Sequence, residues 1–200
     1  MIVAGLTGSI AMGKSTTAGM FADRGIPVFD SDAAVHTLYE KGGKAVPALR
    51  AIAPETIVDG AVDRKLLAAE ILLCPGLLEE IEKKIHPLVE AIQRAFLEDA
   101  AKAGANLVLL DIPLLFETGR DRQVDKIIVV TATPELQSAR ALDRPGMTKA
   151  KLDFILSRQV PDVEKRARAD YVIDTSAGIA DAARQVDHII AELTDSGRNQ

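Results

Sequence analysis

Five short, mostly apolar runs punctuate the chain: Ile2 to Leu6, Ile26 to Phe29, Leu107 to Asp111, Lys126 to Val130 and Tyr171 to Ile173. Runs this short, β-branched and free of polar alternation are the pattern of strands buried on both faces. The stretches between them carry helical spacing, so the expected class is α/β: a five-stranded parallel sheet with helices on both faces. The spacing of the strands is uneven. From Ala33 to Gly104 only helical periodicity is visible, as in Leu78, Ile81, Ile85 and then Val89, Ile92, Phe96. That predicts a helical insertion, because roughly seventy residues are far more than a connection needs. A chain of 200 residues holds one such domain with its insertion, enough to bury roughly 70% of the unfolded surface. The tail TDSGRNQ reads as frayed.

The first run leads straight into GLTGSIAMGKST. Gly8, Gly13, Lys14 and Ser15 fit G-x-x-x-x-G-K-[ST], between a strand and a helix as that pattern requires. Glycines let successive backbone N–H groups turn toward one anion, and the helix that follows adds the positive end of its dipole. Lys14 is expected on the β- and γ-phosphates and the Ser15 hydroxyl on Mg²⁺. The stretch therefore predicts binding of a nucleoside triphosphate.

Composition narrows the partners. A net charge of −5 and seven aromatics argue against nucleic acid, which asks for a basic face or stacking platforms. The single cysteine, Cys74, allows no internal disulfide and reads as a small buried apolar residue. The N-terminus enters a strand at once, and no apolar run approaches a membrane span. A cytoplasmic protein working on small molecules is expected.

Three features bear on what the triphosphate is for. The second strand runs into FDSDAAVH, which puts Asp30 and Asp32 at a strand's carboxyl end, where open α/β sheets bind ligands. One of them is expected to cap the following helix. Asp32 is assigned the chemistry, accepting a proton from the attacking hydroxyl, and Asp30 a structural role. Asp111 ends an apolar strand, as a Walker-B carboxylate near Mg²⁺ does. Between Arg140 and Arg168 eight basic residues face four acidic ones. A solvated helix face is the reading for Lys149, Lys151, Lys165 and Arg166. For Arg140 and Arg144, four apart and expected on one helical face, solvated residues and a lid over phosphates stand as alternatives on spacing alone.

In that order VFDSDAAVH, DGAVDRKLL, LEEIEKKIHPLV, IPLLFE, QSARALDR and RQVPDVEKRARADYVID follow the glycine-rich loop. Together they resemble dephospho-coenzyme A kinase over nearly the whole chain. The resemblance implies a P-loop kinase that uses ATP and Mg²⁺ to phosphorylate the ribose 3′-hydroxyl of dephospho-coenzyme A. A nucleoside or nucleotide kinase is the other reading. By resemblance, Asp32 is the base, and Arg64 and His86 belong to the substrate-binding helical region. Arg140 neighbours adenine, and Arg144 is the arginine of a lid spanning about residues 140–168. ATP is then held by Gly8, Ala11, Met12, Gly13, Lys14, Ser15, Thr16, Arg140 and Arg144, with Ser15 and Asp111 on the metal. The alternative for His86, just before Pro87, is a junction between two helices. The chain departs from the family at Ser9, Ala11 and Met12, and at Thr175-Ser176, where asparagine is usual.

Overall fold

The computed structural model describes residues 1–196. In chain order the strands are β1 (Ile2–Thr7), β2 (Val28–Asp30), β3 (Ile57–Val58), β4 (Ala61–Val62), β5 (Leu107–Asp111), β6 (Lys126–Thr131) and β7 (Tyr171–Asp174). The helices are α1 (Lys14–Ala22), α2 (Ser31–Tyr39), α3 (Val46–Ile52), α4 (Arg64–Leu73), α5 (Leu77–Lys102), α6 (Pro134–Leu142), α7 (Lys149–Ser157), α8 (Asp162–Ala167) and α9 (Ile179–Ser196). Two compact units result: Met1–Phe29 with the chain from Ala100 onward, and Asp30–Asp99.

The first unit is built on the five-stranded parallel sheet, in the order β2-β5-β1-β6-β7. β1 is central, with Ile2 to Leu6 in register with Leu107 to Asp111, and Ala4 to Thr7 with Lys126 to Val129. Two aspartates set that register at the amino ends. Asp125 accepts from the Val3 N–H at 2.8 Å and donates its own N–H to the Val3 carbonyl at 2.8 Å. Asp170 repeats the device on Ile127. Each carboxylate stands in for a strand neighbour just before its own strand begins. Ala4, Leu6, Leu109, Ile128, Val130 and Ile173 share one core with Met20 and Phe21 of α1 and Ala182, Val186, Ile189 and Leu193 of α9. α9 continues through Ser196, so the first residues of the expected frayed tail are helical; residues 197–200 of that tail lie outside the described residues. The second strand begins at Val28 rather than Ile26.

The second unit is not purely helical. β3 and β4 pair antiparallel, Ile57 with Val62 and Val58 with Ala61. Asp59 and Gly60 join them at φ 51° and 83°, the type I′ turn that Asp-Gly favours because it matches strand twist. α5 runs 26 residues straight through Pro87, which overturns the junction reading of His86. Its buried stripe is Leu77, Ile81, Ile85 and Val89, at the i, i+4 spacing that puts side chains on one face. Leu78, expected inside, is 43% exposed, and Gln93 is buried. Cys74 is exposed, contrary to expectation. Its thiol donates to Glu70 Oε1 at 3.3 Å, and that carboxylate holds the thiol above its ordinary range. Among the described residues no helix is long and apolar enough to cross a membrane.

Candidate active site

The loop from Gly8 to Gly13 joins β1 to α1. Gly8 is required by space: a Cβ there would stand 2.6 Å from the Val130 carbonyl oxygen. Gly13 is required by conformation, at φ 97°, and caps α1. α1 has no side-chain cap and no acid in its first turn. By contrast α2, α4, α6 and α7 are capped by Asp30, Asp63, Thr133 and Thr148. The first-turn N–H groups of α1 are left without a side-chain acceptor. With the dipole behind them they form an anion-binding surface. Lys14 begins this helix, and its ammonium pairs with the buried Asp111 carboxylate at the end of β5. Ser15 and Thr16 are exposed on the same turn. Ala11 sits at φ 64°, a left-handed conformation that costs a non-glycine residue roughly 1 kcal/mol.

A cleft of about 340 Å³ opens against this turn, lined by Gly13, Thr16, Met20, Arg140, Arg144 and Ile179 among others. Arg140 projects from α6 and donates to Thr175 Oγ1 at 2.8 Å and to the Thr175 carbonyl at 3.1 Å. The Thr175 hydroxyl, buried, has the Met12 carbonyl at 2.9 Å and the Thr131 carbonyl at 3.2 Å as acceptors for its single proton. One threonine thus joins the glycine-rich loop, the end of β6 and an arginine of the cleft. Ser176 accepts from the Thr133 N–H at 3.0 Å. The Thr175-Ser176 pair therefore anchors the cleft wall. Arg144 reaches the cleft differently from the expectation: α6 ends at Leu142, and Arg144 lies beyond its cap, just before Pro145. A residue before proline is driven out of helical conformation, so the two arginines do not share a helical face.

The basic run is not all solvated. Lys165 on α8 is fully buried and pairs with Glu117 at 2.8 Å. The same Glu117 oxygen accepts from the Val160 N–H at 2.9 Å. Arg168 pairs with Asp121 at 2.7 Å and stacks over the Phe116 ring at 4.2 Å. These contacts bind the turn after β5 to α8. Lys149 and Arg166 are exposed and paired with Asp153 and Asp162. Lys151 is exposed.

In the second unit, Asp30 is the cap of α2, accepting from the Ala33 N–H at 2.9 Å. Asp32 lies in the first turn, exposed. Arg64 opens α4 and is also exposed, as is His86 on α5. None of these three side chains makes a hydrogen bond or close ion pair among the described residues. Tyr39, missed in the sequence, is buried near Arg64; burial pushes its phenol up, and the Arg64 charge partly offsets this.

The sequence profile of the dephospho-CoA kinase family matches residues 1–181. A protein of Mesorhizobium japonicum named dephospho-CoA kinase is 55% identical over 193 residues, 96% of this chain and 97% of that one. A crystal structure from Thermus thermophilus superposes with a TM-score of 0.81 at 33% identity, covering 96% of this chain and 98% of that one. The structure of a dephospho-CoA kinase from Campylobacter jejuni has the same fold, with a TM-score of 0.73 at 23% identity, covering 97% and 98%.

Proposed function

This chain belongs to the dephospho-CoA kinase family, and from that premise we propose how its own residues divide the work. The reaction is transfer of the γ-phosphoryl group of ATP to the ribose 3′-hydroxyl of dephospho-coenzyme A, giving coenzyme A and ADP, the last step of coenzyme A synthesis. The observation that carries the nucleotide half is the uncapped start of α1 beside a cleft walled by Arg140 and Arg144. The backbone N–H groups of Gly13, Lys14 and Ser15 at the start of α1 cradle the phosphates, with Gly8, Ala11, Met12 and Thr16 completing the wall. Arg140 borders the adenine. Lys14 and Arg144 neutralise charge on the phosphates.

Asp32 takes the proton of the 3′-hydroxyl while its oxygen bonds to the γ-phosphorus. The bond from that phosphorus to the β,γ-bridging oxygen breaks, and its electron pair leaves with ADP. Exposure and the lack of any partner suit Asp32 to this, since nothing must be broken for it to receive a substrate. Arg64 and His86 bind the acceptor within the helical unit. The residues fit Mg²⁺: a hydroxyl on the first turn of α1 and a carboxylate at the end of β5 are the hard oxygen donors that Mg²⁺ favours, one or two from protein plus phosphates and water. Ser15 and Asp111 would hold it, and when bound it supplies charge neutralisation at the β- and γ-phosphates. The insertion about residues 33–104 acts as the acceptor region and residues 140–168 as the lid. The protein works in the cytoplasm, with Cys74 a free thiol, and takes no nucleic acid.

An ADP-release assay across acceptors tests the reading. Dephospho-coenzyme A should turn over efficiently. Adenosine and AMP, lacking the pantetheine arm whose binding orients the reacting end, should react far more slowly even at saturation. A preference for AMP, CMP or uridine would move the chain to the nucleotide and nucleoside kinases.

A further inference from the structure

Ile10 stands at the tip of the glycine-rich loop, and both its backbone polar groups are taken by glutamines. Gln137, buried on α6, donates its amide to the Ile10 carbonyl at 2.9 Å. Gln159, just past α7, accepts from the Ile10 N–H at 3.1 Å. The next residue is Ala11, held at φ 64°. Its methyl packs with Ala141 and Leu152, the latter from α7, with Ile10, Met147 and Leu156 around them. Gln137, Arg140 and Ala141 lie at i, i+3 and i+4, hence on one face of α6. That face grips the loop directly twice and through Thr175 a third time. Gln159 is steadied in turn, because its neighbour Val160 is tied to Glu117 and so to buried Lys165.

A non-glycine residue in a left-handed conformation persists only where its surroundings over-determine it. Here those surroundings are the two glutamines and the small apolar cluster. We infer that Gln137 and Gln159 are positioning residues of the nucleotide site. They fix Ile10 from both sides, hold Ala11 in its left-handed turn, and keep the N–H groups that follow directed at the phosphates. Any movement of α6 and α7 is thereby transmitted to the phosphate loop. The inference rests on the reading of that loop as the ATP site. It adds to that reading two residues that touch no substrate and act through Ile10.

Two isosteric substitutions separate the clamp from other causes. Gln137→Glu and Gln159→Glu add the same charge beside the same residue. Only Gln137→Glu destroys its hydrogen bond, setting a carboxylate against a carbonyl, whereas Gln159→Glu keeps an acceptor facing an N–H. Direct titration with ATP, alongside steady-state kinetics, should show Gln137→Glu with a dissociation constant and KM for ATP raised about tenfold or more. Gln159→Glu should stay within about threefold of wild type. The KM for dephospho-coenzyme A should be unmoved in both. Gln137→Met, neutral and similar in length, should lose ATP affinity as Gln137→Glu does. Adding Ala11→Gly to it should recover most of the loss, because glycine needs no clamp to adopt that turn. Equal losses in the two Glu variants would assign the effect to charge and overturn the inference, as would an unrescued Gln137→Met. Lys14→Ala serves as the internal control: if it binds ATP normally, the phosphate-site reading itself fails. A normal Lys14→Ala defect with wild-type Gln137 variants removes the clamp alone.

Discussion

The residues assigned to the nucleotide and those assigned to the acceptor are held in opposite ways. On the nucleotide side several of the assigned groups already have a protein partner. Lys14 lies on Asp111, Arg140 on Thr175, and Ile10 between Gln137 and Gln159. On the acceptor side Asp32, Arg64 and His86 stand exposed on helices without such bonds. The difference fits the chemistry proposed for each. A phosphate cradle gains from donors fixed before the ligand arrives, since reorganisation is then not required in the transition state. A general base gains from a carboxylate whose lone pairs are unused. Asp30 and Asp32 show the contrast within three residues, one spent on a helix cap and one left over.

The largest effect should come from Lys14→Ala. It removes the one ammonium of the loop and leaves buried Asp111 without that counter-charge, so turnover should be abolished and ATP affinity weakened, while dephospho-coenzyme A still binds. Calorimetric titration of each substrate separately would reveal whether the damage is confined to the nucleotide half. Loss of both affinities would mean that the halves are not independent.

A smaller effect is expected from Lys165→Met, which strands Glu117 beneath α8. Removing one member of a buried pair costs on the order of 3 kcal/mol. Chemical denaturation should show that loss, and adding Glu117→Leu should return most of it. The KM for dephospho-coenzyme A should not change. A neutral Lys165→Met would mean that the pair does not stiffen the nucleotide side.

The smallest effect lies at the far edge of the sheet. Burial pushes the Asp170 carboxyl up, but the Lys126 ammonium and the Ile127 N–H outweigh it and hold it below its ordinary value of 3.8. A lowered carboxyl stabilises the fold above its unfolded pKa, and the contribution is lost as pH falls through the lower folded value. Wild type should exceed Asp170→Asn by less than about 1 kcal/mol at neutral pH, given the pair's exposure. The gap should close as pH falls through that lowered folded value. Activity at neutral pH should be unaltered, because this edge lies at the opposite ends of the strands from the phosphate loop.

β1, β5 and β6 were legible because each is buried along most of its length. The edge strands β2 and β7, buried only at Phe29 and Ile173, were legible because their apolar residues still form short runs. β3 and β4 were not, since two-residue strands have no period to read; the Asp59-Gly60 dipeptide was the signal available. The glycine-rich turn between β1 and α1 was legible, because its glycine spacing is local. Lys165 was not: α8 has six residues, too few to show a buried face, and its partner Glu117 is remote in sequence. The same holds for Gln137, Gln159 and Thr175, whose importance lies in what they touch across the fold. Arg144 was misplaced on a helical face although Pro145, the next residue, carried the contrary signal.

The most direct test compares the two neighbouring aspartates in one assay of ADP release with dephospho-coenzyme A. Asp32→Asn keeps shape and removes the proton acceptor, so turnover should fall roughly 10²–10⁴-fold with ATP affinity near wild type. Asp30→Asn should remain within about threefold of wild type, because asparagine caps a helix about as well as aspartate. A larger loss at Asp30 than at Asp32 would contradict the assignment of the unbonded carboxylate to the chemistry.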